Sequence, residues 1–221
     1  MLSIIALLFF LALGCSFGPG NLQSRHSTDL EARSIRRIAV LPPAVTASDP
    51  KPKVPFSLAP TTETRTFERE APELLSRLVY STMVSMANWQ IVSETEVREV
   101  GQAVPSTSEV GRLIKIGEMV YADAVITGRI QRYRERVGDE WGAKSPASVA
   151  FVLDLVDVRR GDIIWSARFD ETQKSLTENI FALSDISQRG VRWLSAEQLT
   201  HEGVKKAVGQ LRQILARAPA S

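Results

Sequence analysis

Between Ala122 and Asp170, apolar side chains gather in three consecutive runs that read as strands. Ala124, Val125, Ile126 and Ile130 mark the first, which runs on towards Tyr133; Val149 to Val158 is the second and Ile163 to Phe169 the third. In the third run Ile163, Trp165, Ala167 and Phe169 alternate with Ile164, Ser166, Arg168 and Asp170, a period of two that predicts a strand with one apolar face. In the second, Val149, Phe151, Leu153 and Leu155 form one apolar row. Ala150, Val152, Val156 and Val158 keep the other row apolar as well, so this strand is expected at the centre, covered on both faces. Asp157 to Asp162 closes the last two runs into a hairpin, with Gly161 free to take positive φ. The pattern predicts an antiparallel meander, and a meander needs helices to cover it.

Outside this stretch the period lengthens. Arg36 to Leu41 reads as a first strand stopped by Pro42-Pro43, and Trp89 to Val92 as a short second one. Pro72 to Ala87 predicts a helix with Pro72 in its first turn and a stripe of Leu75, Leu78, Val79, Thr82, Met83 and Met86. Ser93 with Glu96, and Ser106 with Glu109, are spaced as capping boxes. The second of these opens a helix whose inner face is Val110, Leu113, Ile114 and Gly117. Ser175 with Glu178 opens a brief helix. Ser195 with Gln198 opens the last one, striped with Val204, Ala207, Val208, Leu211, Ile214 and Leu215. The expected fold is α/β (α+β): a single mixed sheet of about five strands with a C-terminal antiparallel meander and helices on its faces.

The amino terminus is different in kind. Leu2 to Leu13 is apolar except for Ser3. A helix of about a dozen residues is roughly 18 Å long, too short for a hydrocarbon core of roughly 30 Å but suited to the apolar region of a secretory signal. Leu11-Ala12-Leu13-Gly14-Cys15 follows, a small residue and then a cysteine, and resembles the lipobox of bacterial lipoproteins. That resemblance implies cleavage before Cys15 and acylation of Cys15. Ser16, where aspartate favours retention at the inner membrane, implies an outer-membrane, periplasm-facing location. The expected organisation is a signal over 1–14, a flexible tether over 15–34, one domain over 35–217 and a frayed tail over 218–221. Within the domain, residues 44–66 carry Pro50, Pro52, Pro55 and Pro60 and are expected to form a mobile loop without a packed element.

Composition narrows the classes. The 221 residues are 44% hydrophobic and 24% charged, ordinary for a globular chain with one sizeable core. Twenty-seven basic against 25 acidic residues give a net charge of +2 with no basic run, which offers nothing to nucleic acid. The one cysteine, Cys15, rules out an internal disulfide framework and a cysteine-based zinc site.

Four pieces taken in order carry a second resemblance: Ile38-Ala39-Val40-Leu41-Pro42-Pro43, Trp89-Gln90-Ile91-Val92, Ala122-Asp123-Ala124-Val125-Ile126-Thr127-Gly128 and Gly161-Asp162-Ile163-Ile164-Trp165-Ser166. Together they resemble the periplasmic α/β domain shared by CsgG, LpoB and the amino-terminal part of TolB, over roughly residues 35 to 217. CsgG-like channels add long membrane-spanning hairpins. The turn over Gly138 to Ser148 is too short to cross a bilayer, where each strand needs about nine residues or more, so pore formation is disfavoured.

Catalytic signals are thin. The chain has neither a G-x-x-x-x-G-K-[ST] loop nor a G-x-G-x-x-G turn, and no G-x-S-x-G elbow. His201 is the one histidine of the expected domain, and His26 falls in the expected tether. Asp154 and Asp157 read as turn-capping or surface carboxylates, and Arg160-Gly161-Asp162 as turn chemistry. No enzyme activity, cofactor or metal is expected. Binding remains, and Trp141, Phe181 and Trp193 are the candidate partner contacts, because aromatic residues are enriched at interfaces. The expected function is that of a membrane-anchored lipoprotein acting as a non-catalytic protein-binding or assembly factor. Its expected partners are the membrane, through acyl chains on Cys15, and another envelope protein. The rival reading is a homo-oligomeric subunit of an outer-membrane secretion or appendage apparatus. A hydrolase built on His201 is the third reading and has no motif behind it.

Overall fold

A computed structural model describes residues 21–42, 62–86, 89–105, 108–141, 143–173 and 193–217. The expected meander is present: β4 (Ala124–Arg134), β7 (Ser148–Asp157) and β8 (Ile163–Thr172) pair antiparallel in sequence order. Gly161 takes φ 73° in the β7–β8 turn, where the added Cβ of any other residue would also be strained. β2 (Arg37–Val40) lies parallel to β4 on one side and to β3 (Gln90–Ile91) on the other. With β1 (Leu22–His26) at one edge, the sheet order is β1-β8-β7-β4-β2-β3, a mixed sheet of six strands rather than five. A separate two-stranded ribbon, β5 (Val137–Gly138) with β6 (Ala143–Ser145), caps the far end of β4 and β7.

The sixth strand is β1, Leu22–His26, inside the stretch expected to be a tether over 15–34. It pairs antiparallel with β8, Leu22 opposite Phe169 and His26 opposite Trp165. A short 3-10 turn over Leu30–Ala32 follows, and Leu30 is fully buried. The correction has a physical basis. An edge strand can be recruited by backbone hydrogen bonds alone, and Gln23, Ser24, Arg25 and His26 are all exposed, so the sequence shows no apolar alternation.

Helix α1 spans Thr62–Ser85, ten residues more than expected at its start, so the expected loop over 44–66 gives way to helix from residue 62. Pro72 lies inside α1 rather than in its first turn. An interior proline costs about 3 kcal/mol through its missing N–H and its clash one turn back. Burial of Ala71, Leu75, Val79 and Met83 against the sheet outweighs that cost. Helix α2 (Glu94–Ala103) is capped by Ser93, which accepts from the Glu96 amide. Helix α3 (Glu109–Met119) is capped by Ser108 through the Gly111 amide, not by Ser106. The buried stripe is Leu113, Ile116 and Gly117, with Val120 just past the helix, and Val110, expected on the inner face, is exposed. Helix α4 (Ala196–Leu215) opens on the expected capping box of Ser195 and Gln198. The expected brief helix from Ser175 lies outside the described residues.

The helices divide the core in two. α1 and α4 cover one sheet face over Ile126, Phe151, Leu153, Leu155, Trp165 and Phe169. The rings of Phe151 and Phe169 stack at 5.1 Å, and Gly203 of α4 sits so close that an added Cβ would lie 2.7 Å from Phe169. α2 and α3 cover part of the other face over Val125, Val156 and Val158. A register shift between Leu155 and Val156 lets both Ile164 and Trp165 turn inward and leaves Ile163, expected in the apolar row, exposed.

Candidate interaction surface

At the far end of β4 the chain turns through Glu135 and Arg136 into the β5–β6 ribbon. Trp141 sits at its tip and is 69% exposed, and Val137 on β5 is exposed as well. The Trp141 amide donates to Asp139 Oδ1 at 2.9 Å, an Asx-type turn that fixes the tip. The ribbon is tied, through its tip loop and its lead-in, to the segment that leads into α4. The Trp193 amide donates to the Glu140 carbonyl at 2.8 Å, and Arg136 Nη1 donates to the Trp193 carbonyl. Glu135 accepts from the Ala196 amide at 3.1 Å, placing a carboxylate at the positive end of α4. Gln173 Oε1 accepts from the Leu194 amide at 2.7 Å. The hydroxyl of buried Tyr133 is pushed up to about 12, by burial first and then by Glu135 and Glu197.

The structure therefore brings two of the candidate contacts, Trp141 and Trp193, to one end of the molecule. They differ in accessibility: Trp193 is half-buried and acts through its backbone, whereas Trp141 presents its indole to solvent. Cys15 and Phe181 lie outside the described residues. Sequence reasoning missed Tyr121, which is 84% exposed and holds φ 54° just past α3. Its amide donates to Glu118 and that of Ala122 to Gly117, the pairing of a Schellman motif whose left-handed position usually takes glycine. It lies at the opposite end of β4 from Trp141.

A shallow notch of about 320 Å³ lies at the β7–β8 turn, lined in part by Arg33, Asp123, Asp157 and Arg160. Arg33 is its hub. Its Nη1 donates to Asp157 at 2.7 Å, its Nη2 reaches Asp162 at 3.0 Å and Asp29 at 2.8 Å, and its side chain is only 12% exposed. Asp157 Oδ1 also accepts from the amides of Arg159 and Arg160, the turn capping expected of it. Asp123 accepts from the amides of Arg36 and Arg37. Hydrogen bonds from Arg33 hold the Asp29 and Asp162 carboxyls below their usual range, and the bond to Asp162 leads the upward shift of the Arg33 guanidinium. These shifts run away from neutrality, opposite to the poise a general acid or base needs. The notch is a latch that fastens the 29–33 segment to the sheet.

His201 is exposed on α4. Asp154 is buried and paired with Arg129 at 3.1 Å. Among the described residues there is no cluster of three or more histidine, cysteine, aspartate or glutamate side chains arranged to hold a metal. Among them, too, no helix is long and apolar enough to cross a membrane.

No protein-family model matches the chain, and no curated protein matches it in sequence. Several solved structures align with it loosely. The PelC dodecamer from Paraburkholderia phytofirmans shares 14% identity over 90% of this chain and 98% of that one, with a TM-score of 0.45. Lipoprotein GNA1162 from Neisseria meningitidis shares 17% over 69% and 96%, at 0.37. The LpoB C-terminal domain from Salmonella enterica shares 16% over 62% and 83%, at 0.33. Likenesses of this size carry no inference about activity or partners.

Proposed function

We propose that this chain is a lipid-anchored envelope protein that binds another envelope protein through the β5–β6 ribbon and catalyses nothing. The supporting observation is Trp141: a large aromatic side chain, 69% exposed, on a ribbon that is held, through its lead-in and its tip loop, by three hydrogen bonds to the chain entering α4. A rigid, amphipathic ring at the tip of a fixed ribbon loses little entropy on contact, which suits it to anchor an interface. The Cys15 motif supplies the anchor in this reading, and Ser16 favours the outer membrane. A photo-crosslinking residue placed at position 141 tests it in cells. The expected outcome is a discrete protein adduct that is absent when the same residue stands at exposed Lys206 on α4. The same adducts from both positions, or none from 141, would remove the ribbon from the interface.

A further inference from the structure

The face of the sheet that α2 and α3 cover only in part continues past them as an open, charged surface. The register sets its members side by side. Arg129 of β4 faces Val152 of β7, which faces Arg168 of β8, which faces Gln23 of β1. One step along, Arg132, Ala150 and Asp170 share a row; beyond it Arg134 stands opposite Ser148, and on the other side Arg25 stands opposite Ser166. Arg129 is 62% and Arg168 54% exposed, and Arg25 and Arg134 are exposed as well. Two carboxylates balance part of this charge: Asp154 pairs with Arg129, and Asp170 with Arg132 and Arg168. Arg25 and Arg134 have no carboxylate partner among the described residues. Five arginines against two aspartates leave this one face at +3, in a chain whose whole net charge is +2.

Its position adds a second fact. The Asp170 amide donates to the Asn21 carbonyl at 2.8 Å, so the chain comes in from its amino terminus beside the Arg132–Asp170–Arg168 group. Asn21 is six residues from Cys15, a reach of about 20 Å at full extension. A domain of this length has a radius of gyration of about 16 Å, so a tether that short does not let it stand clear of the surface it is anchored to. The tether expected over 15–34 would have done so; β1 takes up the difference.

The geometry points to this arginine face as a docking surface for the anionic phospholipid headgroups of the bilayer that carries the anchor. The inference rests on the proposed acylation of Cys15 for its orientation and on the charge of the face for its chemistry. Arginine suits the role because its planar fork donates two hydrogen bonds to one phosphate. Rows spaced by strand pairing offer several such forks on one sheet face, and charge on the protein adds to an acyl anchor as a second membrane signal.

The test uses the full chain purified from the producing cells, with its intact mass establishing whether Cys15 is acylated. The acylated protein is placed on vesicles of phosphatidylcholine alone or of an equal mixture with phosphatidylglycerol, and its arginines are modified with phenylglyoxal. Labelling of Arg25, Arg129, Arg134 and Arg168 is expected to fall several-fold on the mixed vesicles and to recover in high salt, with Arg98 on α2 unchanged. Equal labelling on both vesicles overturns the proposal while leaving the anchor intact. If the mass shows no acyl chain, the anchor reading fails separately, and the same chain is sedimented with the two vesicles. Selective pelleting with the mixed vesicles, weakened about fivefold or more by Arg25→Glu and again by Arg134→Glu, supports the face. Pelleting that ignores lipid charge overturns it. Neither substitution breaks an ion pair within the described residues, so loss of binding is not loss of fold.

Discussion

Along β4 and β7 a single sheet face changes character within a few residues. Near the start of β4, Val125 lies with Val156 and Val158 beneath Leu113, Ile116 and Gly117 of α3 and Val97 of α2. Past Thr127 and Asp154 the same face carries Arg129, Arg132 and Arg134, with Arg168 and Arg25 on the neighbouring strands, all in contact with solvent. The backbone ladder is the same in both halves. The difference shows that the ladder itself asks for no cover; apolar side chains do. Where they stop, the sheet needs no further helix, and its surface is left free for outside contacts.

The comparison can be broken most decisively in its covered half. Ile116 is 1% exposed between α3 and the sheet. Ile116→Ala is expected to cost about 3 kcal/mol in urea unfolding, from lost burial and the cavity left behind. In the open half the largest effect belongs to the buried carboxylate of Asp154. Arg129→Ala leaves Asp154 without its cation and is expected to cost about 1 kcal/mol by the same measurement. A loss equal to that of Ile116→Ala would mean that the charged half supports the fold as strongly as the apolar half.

The smallest expected effect is on pH dependence. The hydrogen bond from Arg132, and then that from Arg168, hold the Asp170 carboxyl below its usual range. A carboxyl lowered on folding contributes stability above its unfolded value, and that contribution is lost as the pH falls through its folded value. Asp170 is exposed, so the loss is expected to be a few tenths of a kcal/mol, about the size of a surface ion pair. Arg132→Leu should flatten that part of the decline in melting temperature between neutral and strongly acidic pH. A slope steeper than that of the parent chain would contradict the assignment.

Legibility in the sequence followed burial. The meander was readable because Phe151, Leu153, Leu155, Trp165, Ala167 and Phe169 must all face one core, which imposes a visible period of two. The α4 stripe and its Ser195–Gln198 cap were readable for the corresponding reason at a period of 3.6. β1 was not, because Gln23 to His26 bury nothing and only their backbone is engaged. The start of α1 was hidden by Pro72, a local stop signal that tertiary packing overrides. Ser106 and Ser108 offered competing caps two residues apart, and the apolar residues of α3 allow two overlapping stripes, of which the one through Leu113, Ile116 and Gly117 is buried. Trp141 could be picked out by residue type, but its exposure depended on the ribbon. The arginine face was only half visible in the chain: Arg129, Arg132 and Arg134 lie close together on β4, but Arg25 and Arg168 join them only through strand pairing.

The place of β1 has a consequence for the order of assembly. Among the described residues it is the first strand to be made, and its partner β8 the last. Leu22 has nothing to pair with until Phe169 has appeared, and Arg33 cannot close on Asp157 and Asp162 until their turn exists. When the chain emerges from its amino terminus, β1 therefore waits for its partner until nearly all of the described sheet has been made.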